Sequence, residues 1–310
     1  MSSAGPARVL VSGLSGFAGS HLRASVARLC PDTVLLPLDC DLRDAGAVEQ
    51  DVRALRPDAC LHLAAVSAIP VAQAEPDRAW AVNLHGTLSL ARAMRAHAPD
   101  APFLFVSSAD AYGASFRSGL PLDETAPLAP MNLYGATKAA ADLALGAMAA
   151  DGARVIRLRP FNHVGPGQQT DFAIPAFARQ LARIAAGRQE AVIRTGNLES
   201  ERDFLHVSDV CDAYALCLRR AHDLPPGSIL NIASGTPRRI GDVLDALIRL
   251  SGLDVSREID PARMRPADIP RALGDAGRAR ALLGWVPRID WEQTLSDVLA
   301  DWTARVATES

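Results

Sequence analysis

The sequence predicts a doubly wound parallel α/β fold with a smaller C-terminal lobe. Three observations predict it. Short apolar runs alternate with amphipathic stretches through the first 160 residues, three glycines spaced three apart follow the first run, and the alternation stops at a Pro/Gly-rich break beginning at Pro160. The runs Arg8–Ser12, Thr33–Leu38, Ala59–Leu63, Phe103–Ser107 and Arg154–Arg159 have the length and composition of buried strands. The stretches between them, Phe17–Leu29, Ala45–Leu55, Trp80–His97 and Tyr134–Ala150, carry helical periodicity. Strands alternating with helices build βαβ units, and hence a parallel sheet. Beyond Pro160-Phe-Asn-His-Val-Gly-Pro-Gly167 the pattern predicts a helix over Phe172–Ala186, a strand over Ala191–Thr195, a helix over Val207–Arg220 and one more sheet strand over Ser228–Ala233. Short helices and loops complete the chain.

Composition excludes several function classes. The chain has 310 residues, 49% hydrophobic and 22% charged, with a net charge of -3, so no basic stripe offers itself to nucleic acid or to an anionic membrane. Met1 to Arg8 is polar and short, and no window approaches the roughly 20 apolar residues of a membrane span. The five cysteines (Cys30, Cys40, Cys60, Cys211, Cys217) form no Cys-x-x-Cys pair. They are expected as reduced thiols of a cytoplasmic protein, with Cys211 and Cys217 in the core, and no metal site is expected.

The glycine run Gly13-Leu-Ser15-Gly16-Phe17-Ala-Gly19 follows the first predicted strand and opens the first predicted helix. Such a turn cradles a pyrophosphate. One glycine makes the tight turn, the next lets the backbone approach the anion, and the third lets helix and strand pack closely. The free N–H groups and the dipole of the helix start add the attraction. Asp39 and Asp41, with Leu42, follow the second strand, where an acidic residue contacts the adenosine ribose. Arg43 is close by, so NADH and NADPH both remain open. The reading is thus a Rossmann-type dinucleotide domain, 1–160 plus 206–233, and a substrate lobe, 161–205 plus 234–310.

Among 32 basic residues the chain holds a single lysine, Lys138, four after Tyr134. On a helix the two side chains share one face. A compact ammonium beside a phenol can lower the phenol pKa and still donate to a ligand, which a planar guanidinium does poorly.

At this point the chain resembles the extended short-chain dehydrogenase/reductase family of nucleotide-sugar epimerases, dehydratases and reductases. The resemblance runs through the glycine turn, His62-Leu63-Ala64-Ala65, Asn83-x-x-Gly86-Thr87, Ser107-Ser108-x-x-x-Tyr112-Gly113, Tyr134-x-x-x-Lys138, Arg159-Pro-Phe-Asn162, Arg202-Asp203-Phe204 and Leu283-Gly-Trp285-x-Pro287. Within the family, Gly196-Asn197-Leu198-Glu199-Ser-Glu-Arg202-Asp203-Phe204 is similar to GDP-mannose 4,6-dehydratases. The runs Pro160–Gln168 and Asp260-Pro-Ala-Arg-Met-Arg265-Pro are similar to the reductases that form GDP-rhamnose.

The resemblance implies a set of roles. Tyr134 is the acid, Lys138 holds the nicotinamide ribose, and Ser108 orients the substrate oxygen. Leu63, Ala64 and Ala65 wall the cofactor, and Asn162, Gly196, Asn197, Arg202 and Arg265 contact a GDP-sugar, the arginines by clamping its phosphates. Asp110 stands where the dehydratases carry the glutamate that takes the C5 proton. One methylene shorter, it is badly placed for that step. The implied activity is NAD(P)H-dependent reduction of a GDP-4-keto-6-deoxy-hexose, with the dehydratase, the 4-epimerase and a non-catalytic dinucleotide-binding scaffold as alternatives. The product could be GDP-D-rhamnose or its C4 epimer. His163 is a second acid/base candidate, and a homodimer is implied through the helices Trp80–His97 and Tyr134–Ala150.

Overall fold

The computed structural model describes residues 5–264 and 269–309. The first half runs β1 (Arg8–Ser12), α1 (Phe17–Leu29), β2 (Val34–Leu38), α2 (Ala45–Leu55), β3 (Ala59–His62), α3 (Ile69–Ala74), α4 (Pro76–Trp80), a π turn (Ala81–Gly86), α5 (Thr87–His97), β4 (Phe103–Val106), α6 (Leu133–Ala150) and β5 (Val155–Pro160). The second runs β6 (Asn162–Val164), α7 (Ala173–Ala185), β7 (Val192–Thr195), β8 (Glu201–His206), α8 (Val207–Arg219) and β9 (Ile229–Ile232). It continues with β10 (Pro237–Arg239), α9 (Ile240–Ser251), β11 (Ser256–Ile259), β12 (Arg271–Ala272), α10 (Gly277–Leu283) and α11 (Trp291–Thr308).

The main sheet is six-stranded, in the order β2-β1-β3-β4-β5-β9, and every pairing is parallel. Its strands alternate between two apolar layers, as a period of two requires. Val9, Val11, Leu61, Leu104 and Leu158 pack with α1 and α8 on one face. Leu10, Cys60, Phe103 and Phe105 pack with α2, α5 and α6 on the other. A sheet buried on both sides explains why these strands read as continuous apolar runs. Strand order reverses between β1 and β3, and a crevice opens beyond the carboxyl ends of the strands at such a point.

The second half has a core of its own, where α7, α9 and α11 meet around Phe177, Leu181, Leu244, Leu247, Val298 and Trp302. Strand β8 lies at its centre, antiparallel to β10 and parallel to β6 and β12. The Asp203 carboxylate, fully buried, accepts from Ser234 N–H and O–H, Gly235 N–H and Gly274 N–H, tying β8 to both loops.

Two expectations need correction. The predicted helix Trp80–His97 begins at Pro76 and contains the π turn. Asn83, buried at the centre of that turn, reaches inward. Its amide accepts from Val66 N–H and donates to the Val66 carbonyl and Thr137 Oγ. A π turn inserted in a helix commonly marks a functional region. Second, the sequence pattern does not separate β6, β8, β10 and β12 as strands. They are short or, like β8, β10 and β12, carry arginine, so neither apolar run nor alternation marks them.

Candidate active site

The glycine turn lies at the reversal of strand order. Gly13 has φ +76°, and a Cβ there would meet the Ala64 backbone nitrogen at 2.8 Å; one on Gly19 would strike the Gly13 carbonyl at 2.3 Å. No other residue fits either place, so the cradle itself requires glycine. Ser15 and Gly16 are exposed at the turn, and Phe17, opening α1, stacks flat on His163 at 6.0 Å between ring centres. Leu63, Ala64 and Ala65, half-buried beyond β3, form the facing wall.

That wall is held by a buried chain. Ala64 N–H donates to Ser12 Oγ, Ser12 is bonded to His62 Nδ1, His62 Nε2 to Thr87 Oγ1, and Thr87 donates to the Asn83 carbonyl. Thr87 gives its proton away, so it accepts from His62 Nε2–H, and Nδ1 then accepts from Ser12. Burial and the Lys138 charge push His62 down to about 3, so it stays neutral. After β2, Asp39 and Asp41 are exposed and Leu42 is buried, with Arg43 Nε and Nη2 both bonded to the Asp41 carboxylate. That pair holds Asp41 near 2.

Ser108, Asp110, Tyr134 and Lys138 converge at the end of β4. Asn132 caps α6 by accepting from Gly135 N–H at 2.8 Å, which starts the helix where Tyr134 and Lys138 turn towards the sheet. Ser108 Oγ accepts from Asp110 N–H at 3.1 Å, contacts the Asp110 carboxylate at 3.4 Å and acts on the neighbouring Tyr134 phenol, whose pKa it pulls down. It therefore caps its own short turn and faces the tyrosine as well. Lys138 is 2% exposed; its Nζ donates to the Val106 carbonyl at 2.7 Å and lies 4.8 Å from the centre of the Phe105 ring.

The electrostatics correct one expectation. The phenol of Tyr134 is raised, not lowered, through burial first and the Asp110 charge second, with the Ser108 bond pulling the other way. Burial brings Lys138 down to about 7, with Asp142 opposing. The ammonium is turned to the Val106 carbonyl instead of the phenol.

The GDP-sugar candidates lie apart from this cluster in the chain. Asn162, exposed on β6, pairs with Phe204 of β8. Gly196 and Asn197 follow β7, and the Asn197 side chain accepts from Glu199 N–H. Arg202 on β8 donates to the Glu201 and Ile269 carbonyls. Arg265 lies outside the described residues. His163 Nδ1 is bonded to the Phe161 carbonyl, and burial lowers its pKa. No group of three or more His, Cys, Asp or Glu suited to a metal occurs among the described residues.

The model for GDP-mannose 4,6 dehydratase matches residues 32–298. The chain belongs to that family. It is 37% identical to a GDP-6-deoxy-D-mannose reductase from Pseudomonas aeruginosa, over 97% of this chain and 99% of the relative. To a UDP-glucose 4-epimerase from Azospirillum brasilense it is 31% identical, over 91% of this chain and 88% of that one. Among solved structures it matches RMD from Pseudomonas aeruginosa complexed with NADPH, with TM-score 0.88, 36% identity and coverage of 96% of this chain and 99% of that one. A Thermus thermophilus UDP-glucose 4-epimerase in complex with NAD matches with TM-score 0.82, 27% identity and coverage of 95% and 98%.

What sequence reasoning missed lies behind the cluster. Asp142, fully buried one turn beyond Lys138, binds Arg159 through both carboxylate oxygens at 2.8 and 2.9 Å, and Arg157 at 3.1 Å. The signal available was spacing: Tyr134, Lys138 and Asp142 follow one another at i, i+4, i+8.

Proposed function

We propose that the chain reduces the C4 ketone of GDP-4-keto-6-deoxy-mannose with NADH or NADPH as reductant, giving GDP-D-rhamnose. The observation that carries this is the end-to-end likeness to a GDP-6-deoxy-D-mannose reductase, in a chain that gathers Ser108, Tyr134 and Lys138 at one point. The cradle at Gly13, with the wall at Leu63–Ala65, suits a dinucleotide, and when bound its nicotinamide supplies hydride to C4. Tyr134 gives the proton to the ketone oxygen, while Ser108 Oγ orients that oxygen. A raised phenol pKa keeps the proton on Tyr134 before the step, the state a reductase needs. A dehydratase or epimerase starts by oxidising an alcohol and needs the phenolate, which the Asp110 charge opposes. Lys138, as an ammonium, is assigned to the nicotinamide ribose. Arg202 and Arg265 are assigned to the diphosphate, and Asn162, Gly196 and Asn197 to the nucleotide-sugar, in a lobe formed by 161–205 plus 234–310.

Stoichiometry tests the reading. GDP-mannose alone should be left intact, and the 4-keto-6-deoxy sugar should oxidise one NAD(P)H per molecule with GDP-rhamnose as product by NMR. Conversion of GDP-mannose to a keto sugar without added reductant would overturn it in favour of the dehydratase.

Two finer points follow. Two carboxylates after β2, with Arg43 already bound to one of them, favour a ribose with free hydroxyls over a 2′-phosphate. NADH should therefore give the higher kcat/KM, and a ratio favouring NADPH overturns that point. We also assign a cytoplasmic homodimer. Leu143, 61% exposed on α6 and flanked by the accessible Ala140, Ala144 and Ala147, offers an apolar strip to a second copy, while Ala139 and Ala141 are spent inside the monomer. Leu143→Arg should turn a dimer into a monomer by light scattering. All five cysteines are free thiols, which suits a reducing compartment. No helix among the described residues is long and apolar enough to cross a membrane.

A further inference from the structure

Lys138 is surrounded by little that would keep it charged. Its direct partners are one carbonyl and one aromatic face, both neutral. Charged and titratable side chains do lie on the elements packed against α6. From β3 comes His62, neutral and buried, and from the turn after Ser108 comes Asp110, facing the phenol. From β5 come Arg157 and Arg159, both bonded to Asp142. Asp77 and Arg78 on α4, His85 on the π turn, and Arg92, Arg95 and His97 on α5 are exposed. The one anion buried on the lysine's own helix, a turn away, is Asp142, and its field acts on Lys138.

Asp142 is not left free to move. Arg159, 3% exposed, grips both its oxygens, and Arg157 donates to its carboxylate at 3.1 Å and its backbone carbonyl at 3.2 Å. Room for the Arg157 guanidinium comes from Gly146, one further turn along α6: a Cβ there would lie 2.6 Å from Arg157 Nη1. A glycine inside a helix is destabilising against alanine, so the space it leaves is a built feature of α6. Arg159 is tied onward to Tyr112 Oη at 3.0 Å, and Tyr112 donates to Asn231 Oδ1 at 2.8 Å. The same residues anchor both stretches that face the substrate, since Tyr112 closes the Asp110 turn and Arg159 precedes Asn162.

We propose that Asp142, clamped by Arg157 and Arg159, is a positioning residue that holds Lys138 as the ammonium during turnover. Two charges act on the lysine through one carboxylate, and removing each has an effect of opposite sign. Removing the carboxylate charge lowers the pH at which Lys138 loses its proton. Removing Arg157 leaves the carboxylate less neutralised and raises that pH. Activity requires the ammonium, so it is present below the Lys138 midpoint and lost as pH rises through it. Asp142→Asn should move the alkaline limb of the kcat profile down, and Arg157→Gln should move it up, each by about one unit or more. Asp142→Glu, which keeps the charge, should restore the limb.

The kinetic arm rests on the reductase reading, so a second arm avoids substrate altogether. The chain has one lysine, and lysine labelled with ¹³C at Cε and ¹⁵N at Nζ therefore reports Lys138 alone. Its NMR midpoint should fall in Asp142→Asn and rise in Arg157→Gln, in the cofactor-loaded protein. Unchanged midpoints in both variants overturn the inference. Midpoints that move while the rate limbs stay put also overturn it, because the ammonium would then not be needed. Midpoints that move as stated, when the unsubstituted protein turns over no GDP-4-keto-6-deoxy-mannose, uphold the charge assignment and sink the substrate reading. Should Asp142→Asn fail to fold, Arg157→Gln, whose residue is only half-buried, decides the matter by the sign of its shift.

Discussion

Two buried polar regions sit a helical turn apart on α6 and are treated in opposite ways. In the Asp142–Arg159 corner nearly every donor has an acceptor. Arg159 bonds Asp142 through two nitrogens and Tyr112 and the Glu124 carbonyl through a third. Burial works against both charges there, yet the bonds win, holding the Asp142 carboxyl low and the Arg159 guanidinium high. In the Ser108–Tyr134–Lys138 corner burial wins: the phenol rises and the ammonium falls to about 7. Both corners are buried, and their partners differ. A buried group with its partners in place is structural, while one left short of them is ready to exchange a proton with a ligand.

Substitutions can break or sharpen that contrast. The largest effect on stability belongs to the satisfied corner. Arg159→Leu leaves Asp142 with Arg157 alone and should lose about 3–5 kcal/mol in urea unfolding. A loss under about 1 kcal/mol would mean that the network is ornamental. The other corner should answer in rate instead. Tyr134→Phe should slow turnover by roughly 10²–10⁴ with the unfolding midpoint unchanged or higher, because it removes a poorly satisfied hydroxyl. A clear fall in midpoint together with near-normal rate would reverse the two assignments.

Asn83→Ala falls between them. It strips a buried amide from the Val66 N–H and carbonyl and should cost about 2 kcal/mol of stability, read by the same urea series. Smallest is Arg202→Ala, which should raise KM for the nucleotide-sugar about tenfold with kcat near wild type, since a diphosphate is held alike in ground and transition states. A fall in kcat with KM unaltered would move Arg202 from binding into the chemistry.

Legibility followed the length scale of each feature. The glycine turn was readable because its demands are local: φ above zero at Gly13 and the Gly19 contact with the same turn involve residues within six positions. The alternation of strands and helices was readable because burial on both sheet faces imposes continuous apolar runs. The placing of Tyr134 and Lys138 on one buried helix face was readable because a helix brings i and i+4 together. Strand β8 was not, since Glu201, Arg202 and Asp203 carry no apolar pattern and are ordered by β10, β12 and the four bonds that Asp203 accepts.

By itself, then, the amino-acid sequence determined the fold class, the glycine turn and the buried helix face that carries Tyr134 and Lys138, because helix periodicity, strand alternation and turn sterics act over a few residues. Tertiary structure alone decided the charge states. The sequence reading expected Lys138 to lower the Tyr134 phenol, yet the ammonium faces the Val106 carbonyl, 32 residues away in the chain. The anion opposing its deprotonation, Asp142, is fixed by arginines 15 and 17 residues away. A pKa depends on desolvation and on charges close in space, and no stretch of sequence contains either until the sheet has brought β4, β5 and α6 together.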